Sequence, residues 1–254
     1  MENNALLESY LKQLRLPTFL ANYRKFAEDA AQGNLPYERF LLALAELEMA
    51  QREKNRIQRR IKAARFPVLK ELATFDFSAI PDLNKAKVLD LSRGEYIVHR
   101  EPIIMVGNPG VGKTHVATGL ALAACRQGHK VRFYNVAGLV NELIEAQNEH
   151  LLPKILASAL KHHLIVLDEL GFIPLTSTGA HLIFQFCSTL YERVALIVTT
   201  NLRFADWTQV FGDERLTAAL LDRLTHKATI LEFVGESYRF RQRMQQEAQH
   251  EGSE

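Results

Sequence analysis

Residues 101–114 read EPIIMVGNPGVGKT, and this stretch decides the fold. The apolar run 103–106 leads into GNPGVGKT, which satisfies the pattern G-x-x-x-x-G-K-[ST] at every fixed position. The segment that follows, HVATGLALAACRQG, has helical character and ends on a glycine. The order of strand, glycine-rich turn and helix is typical of a phosphate-binding loop. The chain is therefore predicted to bind a nucleoside triphosphate.

The residue types of this loop suit that role. Glycines let the backbone turn tightly and approach a phosphate without a Cβ in the way, and the helix N-terminus faces the anion. Lys113 should reach the β- and γ-phosphates, and the hydroxyl of Thr114 should bind Mg²⁺. The predicted nucleotide-binding residues are Gly107, Asn108, Pro109, Gly110, Val111, Gly112, Lys113, Thr114 and His115.

Beyond residue 101, short apolar runs alternate with helical segments. The predicted strands are 103–107, 130–136, 163–169, 195–201 and 228–234. Apolar strands that alternate with helices indicate an α/β fold with a five-stranded parallel sheet covered by helices on both faces. Ligands of such sheets bind at the carboxyl ends of the strands. We therefore expect functional side chains at those ends.

The third strand, LIVLDEL, ends in the acidic pair Asp168 and Glu169. Acids at the end of a buried strand are costly unless they hold a metal or a proton. Asp168 suits the Mg²⁺ shell, and Glu169 suits the orientation and deprotonation of an attacking water. The alternative is a strand that merely ends in a solvated acidic turn.

Three further residues are candidates, each with an ordinary structural alternative. Asn201, after the fourth strand, could bind the γ-phosphate or position the water, but asparagine also caps helices and starts turns. Arg223, in LLDRLTHKA, could be an arginine finger donated to a neighbouring subunit, or it could pair with a carboxylate of its own subunit. Arg239, in ESYRFRQR, could contact phosphate or belong to a solvated basic tail.

The first hundred residues look helical and lack a clear strand. Helical spacing of apolar residues predicts one long helix from Tyr37 to Arg65, with an apolar first half and a basic second half. We place a domain boundary near Phe66. The predicted organisation is a helical domain 1–66 with DNA and oligomer contacts, an ATPase domain 67–242 that begins with the connector 67–100, and a polar tail 243–254.

The largest basic cluster of the chain is 51–70, with eight Lys or Arg against one acid. Helical spacing brings several of these cations to one side, where they could contact DNA phosphates. No zinc pattern or helix-turn-helix signal accompanies them, so we expect binding that is largely independent of sequence. The alternative is a solvated helix face. The candidate DNA-binding residues are Arg52, Arg56, Arg59, Arg60, Lys62 and Arg65.

The composition is that of an ordinary globular protein. The 254 residues carry a formal net charge of +2, with 47% apolar and 24% charged residues. No apolar run approaches the roughly 18 residues of a membrane span. The polar N-terminus does not resemble a secretory signal. Cys125 and Cys187 lie in apolar patterns and are predicted to be buried free thiols, so we expect a cytoplasmic protein.

Taken in order, GNPGVGKT, LIVLDEL, VTTN, DRL and ESYR resemble an AAA+ ATPase of the helicase-loader and transposition-helper branch. Three further segments, LKQLRLPTFLANY, AELEMAQREKNRIQRRIKAARFP and DELGFIPLTSTGAHLIFQF, are similar to the IstB transposition helpers of bacterial insertion sequences. The resemblance covers nearly the whole chain. It implies an AAA+ core without a C-terminal lid, because only about twenty residues follow Val234.

The resemblance also implies roles for the candidate residues. Lys113 and Thr114 match the Walker A lysine and hydroxyl, and the pair 168–169 matches Walker B. Asn201 matches a sensor residue, and Arg223 matches the arginine finger that acts on a neighbouring subunit. Arg239 matches the second sensor less well, because the lid that usually carries that arginine is not expected here.

The function implied is an ATP- and Mg²⁺-dependent hydrolase that oligomerises on duplex DNA and presents it to a partner transposase, which stimulates transposition by DNA recombination. The alternative is a DnaC-like loader of a replicative helicase, which shares the ATPase core. A small-molecule P-loop kinase would need an arginine-rich lid that the residues after the loop do not show. A DNA-binding adaptor with a degraded ATP site is disfavoured by the intact motifs.

Overall fold

The structure is a computed structural model that describes residues 2–238. Its chain divides into two compact units between Arg59 and Arg60, inside a helix, whereas the sequence suggested a boundary near Phe66. Arg239 and the predicted tail 243–254 lie outside the described residues. No described helix is long and apolar enough to cross a membrane.

The first unit is helical, as predicted. It contains α1 (Glu2–Gln13), α2 (Pro17–Gln32) and the greater part of α3 (Tyr37–Ala64). Proline begins α2 because its fixed φ suits the first helical position and its missing N–H is not needed there. Leu11 and Leu44 are its buried apolar residues among those described.

The second unit is built on a five-stranded parallel sheet with the strand order β2-β3-β4-β1-β5. The sequence predicted all five strands, with ends that differ by at most one residue. Their bounds are β1 Ile103–Gly107, β2 Val131–Asn135, β3 Leu164–Leu170, β4 Ala195–Thr200 and β5 Thr229–Phe233.

Helices connect the strands and cover the sheet. Side-chain oxygens cap several of them: Asn135 accepts hydrogen bonds at the start of α7, and Asp213 does so at the start of α11. The helices of this unit are α4 (Lys85–Leu91), α5 (Glu95–His99), α6 (Lys113–Arg126), α7 (Val136–Asn148), α8 (Leu152–Ala159), α9 (Ser177–Leu190), α10 (Thr208–Phe211) and α11 (Glu214–Thr225).

The three central strands, β1, β3 and β4, are mostly apolar and buried because helices cover both faces of the sheet. In β1, Ile103 and Met105 belong to one core cluster and Ile104 belongs to the other. This alternation places one apolar cluster on each face, as predicted. Cys125 and Cys187 are buried free thiols, one in each cluster.

The segment 67–100, predicted to be a connector, is part of the packed core. It forms two short 3₁₀ turns (Leu72–Thr74 and Phe77–Ala79) followed by α4 and α5. Its apolar residues Ile80, Val88 and Ile97 are buried in the same cluster as β1. Each short turn contributes one or two apolar residues, so no extended periodicity marks the segment in the sequence.

Among the described side chains of the first unit, one carboxylate is buried, that of Glu48. Its Oε2 accepts the backbone N–H of Thr18 at 3.0 Å, and its Oε1 accepts Nε of Arg52 at 2.7 Å. Burial raises the pKa of Glu48, but the hydrogen bonds from Arg52 and Thr18 outweigh burial and hold the pKa below its ordinary value of 4.5. Arg52 also donates to the carbonyl oxygen of Arg15 at 2.7 Å, so it joins α3 to the turn that follows α1.

Glu48→Gln should destabilise the first unit by about 1–2 kcal/mol, because the side-chain volume is kept and a charged hydrogen-bond partner is lost. The pKa of Glu48 is lowered by folding, so its contribution is present above pH 4.5 and is lost as the pH falls through the folded value. Peptide-resolved hydrogen exchange of the full chain should show faster exchange in residues 2–59 at neutral pH. Glu46→Gln, an exposed change on the same helix, is the control, and equal exchange in both variants would contradict the assignment.

Candidate functional site

The predicted phosphate loop joins β1 to α6 through a turn that requires glycine. Gly110 and Gly112 have φ angles of +83° and +97°. A Cβ on Gly112 would lie only 2.6 Å from Cε2 of Phe75. L-residues rarely adopt these angles, so a side chain at position 112 would strain the backbone and would also force Phe75 to move.

Lys113 begins α6 and turns back into the loop. Its side chain is largely buried, and Nζ donates to the carbonyl oxygens of Gly107 at 2.6 Å and Asn108 at 2.8 Å. The ammonium group therefore lies inside the curve of the loop, which is where phosphate oxygens bind in loops of this pattern.

A chain of hydrogen bonds joins the loop to β3 and β4. Thr114 Oγ1 donates to Asp168, at 2.9 Å from Oδ1. Thr199 Oγ1 donates to the same Oδ1 at 2.6 Å and accepts the backbone N–H of Glu169 at 2.9 Å. The hydroxyl of Thr199 thus fixes both members of the acidic pair.

Asp168 is buried, and burial raises its pKa above the ordinary value of 3.8. The hydrogen bonds from Thr199 and Thr114 and the charge of Lys113 lower the pKa, while Glu169 raises it. The two hydroxyl donors therefore oppose the effect of burial and favour the ionised form of Asp168, which a metal ion requires.

Glu169 sits in a β-bulge. Leu167 pairs with Val198 but Leu170 pairs with Thr200, so β3 contains one extra residue at this point. Glu169 has a φ angle of +63°, which is uncommon for a non-glycine residue. Bulges re-aim a side chain, and this one lets the exposed Glu169 follow the buried Asp168 in the same strand.

The sequence prediction missed two residues of this network, Asn135 and Thr199. Asn135 ends β2, caps α7 and donates Nδ2–H to Oε2 of Glu169 at 2.8 Å. Both residues lie in the last two positions of strands that flank β3, so polar residues near strand ends were the available signal. Their contacts with the acidic pair depend on the strand order β2-β3-β4, which the sequence does not state.

Asn201 directly follows β4 and lines a cleft of about 290 Å³ beside the phosphate loop. Its Oδ1 is buried, and no described group hydrogen-bonds to it. A buried amide oxygen without a partner calls for a donor, such as a water bound in the cleft. The same cleft is lined by His115, Glu169, Phe75, Ile80 and Tyr238, and the last three offer apolar surface to a flat base.

The residues present fit a magnesium ion. One hydroxyl, from Thr114, lies 2.9 Å from one carboxylate oxygen, from Asp168, beside the loop that would hold a triphosphate. Mg²⁺ is commonly bound by one or two protein oxygen atoms together with substrate phosphates and water, so this pair of donors is sufficient.

Among the described residues that were predicted to act at the ATP site, Arg223 alone lies away from the phosphate loop. It lies in the last turn of α11 and lines a second cleft, of about 400 Å³. This cleft is also lined by Pro102, Val194 and Lys227, which precede β1, β4 and β5. The guanidinium lies 5.0 Å from the ring centroid of Phe184 and donates to the carbonyl oxygen of Ala219 at 2.9 Å. Among the described residues, no carboxylate forms an ion pair with Arg223.

The predicted DNA-binding residues differ in their surroundings. Arg52 is engaged by Glu48, and Arg56 pairs with Glu53 at 3.3 Å, both within the first unit. The remaining members, Arg59, Arg60, Lys62 and Arg65, lie at the basic end of α3 or directly after it, and all but Arg60 are exposed.

Comparison with known proteins agrees with this site. Residues 9–246 match the family described as IstB-like ATP binding protein. An ATP-binding protein of insertion sequence IS5376 from Geobacillus stearothermophilus is 36% identical, over 96% of this chain and 97% of the relative. An ATP-binding protein of insertion sequence IS21 from Pseudomonas aeruginosa is 35% identical, over 93% of this chain and 89% of the relative.

Solved structures share the fold. The DnaC helicase loader has a TM-score of 0.51 and 23% identity, over 59% of this chain and 87% of its own. DnaI has a TM-score of 0.55 and 16% identity, over 65% of this chain and 91% of its own. At these identities the likeness concerns the AAA+ fold alone.

Thr199→Val should lower ATP turnover about tenfold or more, the equivalent of at least about 1.4 kcal/mol of barrier, while Thr199→Ser should retain most of it. Valine keeps the volume but removes the hydroxyl that donates to Asp168. The pKa of Asp168 should then rise further, and the acid limb of the pH–rate profile should move to higher pH. Steady-state rates from pH 5 to 9 test this, with unfolding temperatures as the folding control. A valine variant with the wild-type profile would contradict it.

Proposed function

The chain belongs to the IstB-like ATP-binding protein family, and from this premise we propose that it is an ATPase that assembles on duplex DNA and presents that DNA to a partner transposase. One observation carries the proposal: Thr114, Asp168, Thr199 and Glu169 form a single hydrogen-bonded set beside the phosphate loop. A protein that only held a nucleotide would gain nothing from the second carboxylate, which the bulge aims separately from the first.

In the proposed reaction, Lys113 exchanges the carbonyls of its own loop for the β- and γ-phosphate oxygens of ATP. Glu169 orients a water and accepts its proton while the water oxygen bonds to the γ-phosphorus. The bond from that phosphorus to the β–γ bridging oxygen breaks, which yields ADP and phosphate. Asn201 positions the water or the γ-phosphate through its buried amide. Mg²⁺, held by Thr114 and Asp168, would neutralise charge on the phosphates.

Arg223 is proposed to act on the ATP of a neighbouring subunit. It lies at the amino end of the sheet, whereas the phosphate loop lies at the carboxyl end, so it cannot reach its own nucleotide without a large rearrangement. Its ring contact with Phe184 and its bond to Ala219 hold the guanidinium without neutralising it. A positioned, unneutralised arginine suits a transferring phosphate.

The DNA part of the proposal is supported by charge and by relatives. The cations at the end of α3 could contact a phosphate backbone without reading bases. The relatives from Geobacillus and Pseudomonas are both named for insertion sequences, and each aligns with nearly the whole chain. A second candidate, loading of a replicative helicase, is favoured by the fold shared with the DnaC loader and predicts a preference for single-stranded DNA.

The central test is nucleotide-dependent DNA binding, measured by fluorescence anisotropy on a random-sequence duplex. We expect tight, salt-sensitive binding with a non-hydrolysable ATP analogue, and at least about tenfold weaker binding with ADP or without nucleotide, a difference of about 1.4 kcal/mol. Lys113→Ala should abolish the gain. Preference for single strands would favour the helicase-loader alternative, and absence of binding to either would refute the DNA function.

Subunit mixing tests Arg223. Arg223→Ala and Lys113→Ala should each lose most ATP turnover, but a mixture should regain a fraction, because an intact phosphate loop can then face an intact arginine from the other variant. Lys113→Ala mixed with Glu169→Gln is the matched control, since both changes damage the same site. No regain in the first mixture, with co-assembly verified, would show that Arg223 does not act between subunits.

A further inference from the structure

A short segment that precedes the phosphate loop in the chain reaches the nucleotide cleft. Residues 70–76, KELATFD, are here called the strap. The ring of Phe75 lies against the loop itself, because a Cβ on Gly112 would be 2.6 Å from its Cε2. The strap therefore forms a wall of the cleft next to the place where phosphates are expected. The strap residues that line the cleft are Lys70, Thr74, Phe75 and Asp76.

His115, which follows Thr114 in α6, binds the backbone of the strap. Its Nε2 lies 2.8 Å from the carbonyl oxygen of Glu71 and 3.3 Å from Oγ1 of Thr74. A carbonyl oxygen only accepts, so Nε2 carries a proton and donates to Glu71. The hydroxyl of Thr74 donates to the same carbonyl oxygen at 2.9 Å. One oxygen of the strap thus accepts two hydrogen bonds, and one of them comes from the helix that follows the phosphate loop.

Two more contacts hold the strap along α6. A Cβ on Gly119 would lie 2.7 Å from Cγ of Leu72 and 3.0 Å from its backbone nitrogen, so the strap packs directly on the helix there. Arg126, in the last turn of α6, forms an ion pair with Glu71. Both partners of this ion pair are about half exposed, so it adds little by itself. The principal anchors of the strap are therefore His115 and the close fit at Gly119.

The ring of Phe75 is fixed by its neighbours. The imidazole of His115 meets it edge to face, with ring centroids 5.2 Å apart and an interplanar angle of 80°. Phe77 makes a second contact of this kind, at 4.8 Å. Both phenylalanines also pack against the core cluster that contains residues of β1. A fixed aromatic ring in a cleft beside a phosphate loop suits the packing of a nucleotide base.

The hydrogen bonding of His115 favours a role through the strap and not on the phosphates. In a neutral imidazole only one ring nitrogen carries a proton, and here Nε2 uses it for Glu71. The neutral ring then has no second N–H to offer to a phosphate oxygen. Lys113, in contrast, has its ammonium group inside the curve of the loop. The geometry thus divides the cleft into a loop that suits phosphates and a strap that suits the base.

We propose that His115 is a positioning residue for the nucleotide base: it holds the strap against α6, and the strap presents Phe75 as one wall of the base site. The ligand is a nucleoside triphosphate, whose phosphates bind the loop and whose base packs on Phe75 beside Ile80 and Tyr238. This rests on the nucleotide-binding part of the proposed function and is independent of the DNA part. It explains how affinity for the nucleoside is added to affinity for the phosphates.

The experiment compares ATP with inorganic tripolyphosphate, which carries phosphates but no base or sugar, by titration calorimetry of the full chain with Mg²⁺. His115→Ala should weaken ATP binding about tenfold, because the strap loses a hydrogen bond and Phe75 loses a ring contact, and should keep tripolyphosphate binding within about twofold of the wild type. His115→Gln should restore most of the ATP affinity, since its amide can donate to the same carbonyl oxygen. A side chain that bound phosphate would affect both ligands alike.

Gly119→Ala tests the strap from within α6. The added Cβ would meet Leu72 at 2.7 Å, so the strap has to move, and we expect the same selective loss of ATP affinity. Gly138→Ala is the matched control, because it places the same side chain in α7, where a Cβ has nothing within 4 Å. This control should bind both ligands as the wild type does.

The role of His115 is overturned if the wild type binds both ligands but His115→Ala and Gly119→Ala keep its ATP affinity, or if they lose affinity for tripolyphosphate to the same extent as for ATP. If the wild type binds neither ligand, the nucleotide site of the proposed function fails and the strap fails with it. Unfolding temperatures identify a variant that does not fold, and the other variant then decides.

Discussion

The site depends on keeping one buried carboxylate ionised. Asp168 ends a stretch of strand that is apolar on both sides, and burial alone would favour its protonated form. The hydroxyls of Thr114 and Thr199 oppose that cost with direct hydrogen bonds. Each of these donors comes from a different element, α6 and β4, so the ionised state requires the phosphate loop and two central strands to be correctly placed together. Loss of either donor would leave Asp168 with a single hydroxyl partner and would favour its protonated form.

The β-bulge then separates the tasks of the two acids. A regular strand would point Glu169 to the face opposite Asp168, whereas the extra residue and the positive φ angle re-aim its carboxylate. Asn135, one strand further out, holds that carboxylate with its amide N–H and caps α7 with its amide oxygen. The position of Glu169 is therefore tied to the start of a helix that follows a different strand. A displacement of α7 would therefore also move Asn135, the hydrogen-bond donor to this carboxylate.

Much of this could be predicted from sequence, and the remainder has a common physical cause. The phosphate loop and the strand that ends in the acidic pair were recognisable because each function is encoded by consecutive residues. Asn135 and Thr199 were missed because their roles arise from strand order, and strand order is a long-range property. The core role of 67–100 was missed because its apolar residues lie in short turns without periodicity. Arg52 illustrates the converse, since the (i, i+4) spacing to Glu48 was visible but the burial of Glu48 was not.

The last strand links the two edges of the sheet. Arg223 lies shortly before β5, and Tyr238, shortly after it, donates its backbone N–H to the carbonyl of Gly110 in the phosphate loop. β5 pairs along its whole length with β1, the strand that leads into that loop. A short paired strand resists stretching, so a shift at its amino end is transmitted to its carboxyl end. Contact of Arg223 with a neighbour's phosphate would thus be connected, through one strand, to the loop that binds the subunit's own ATP.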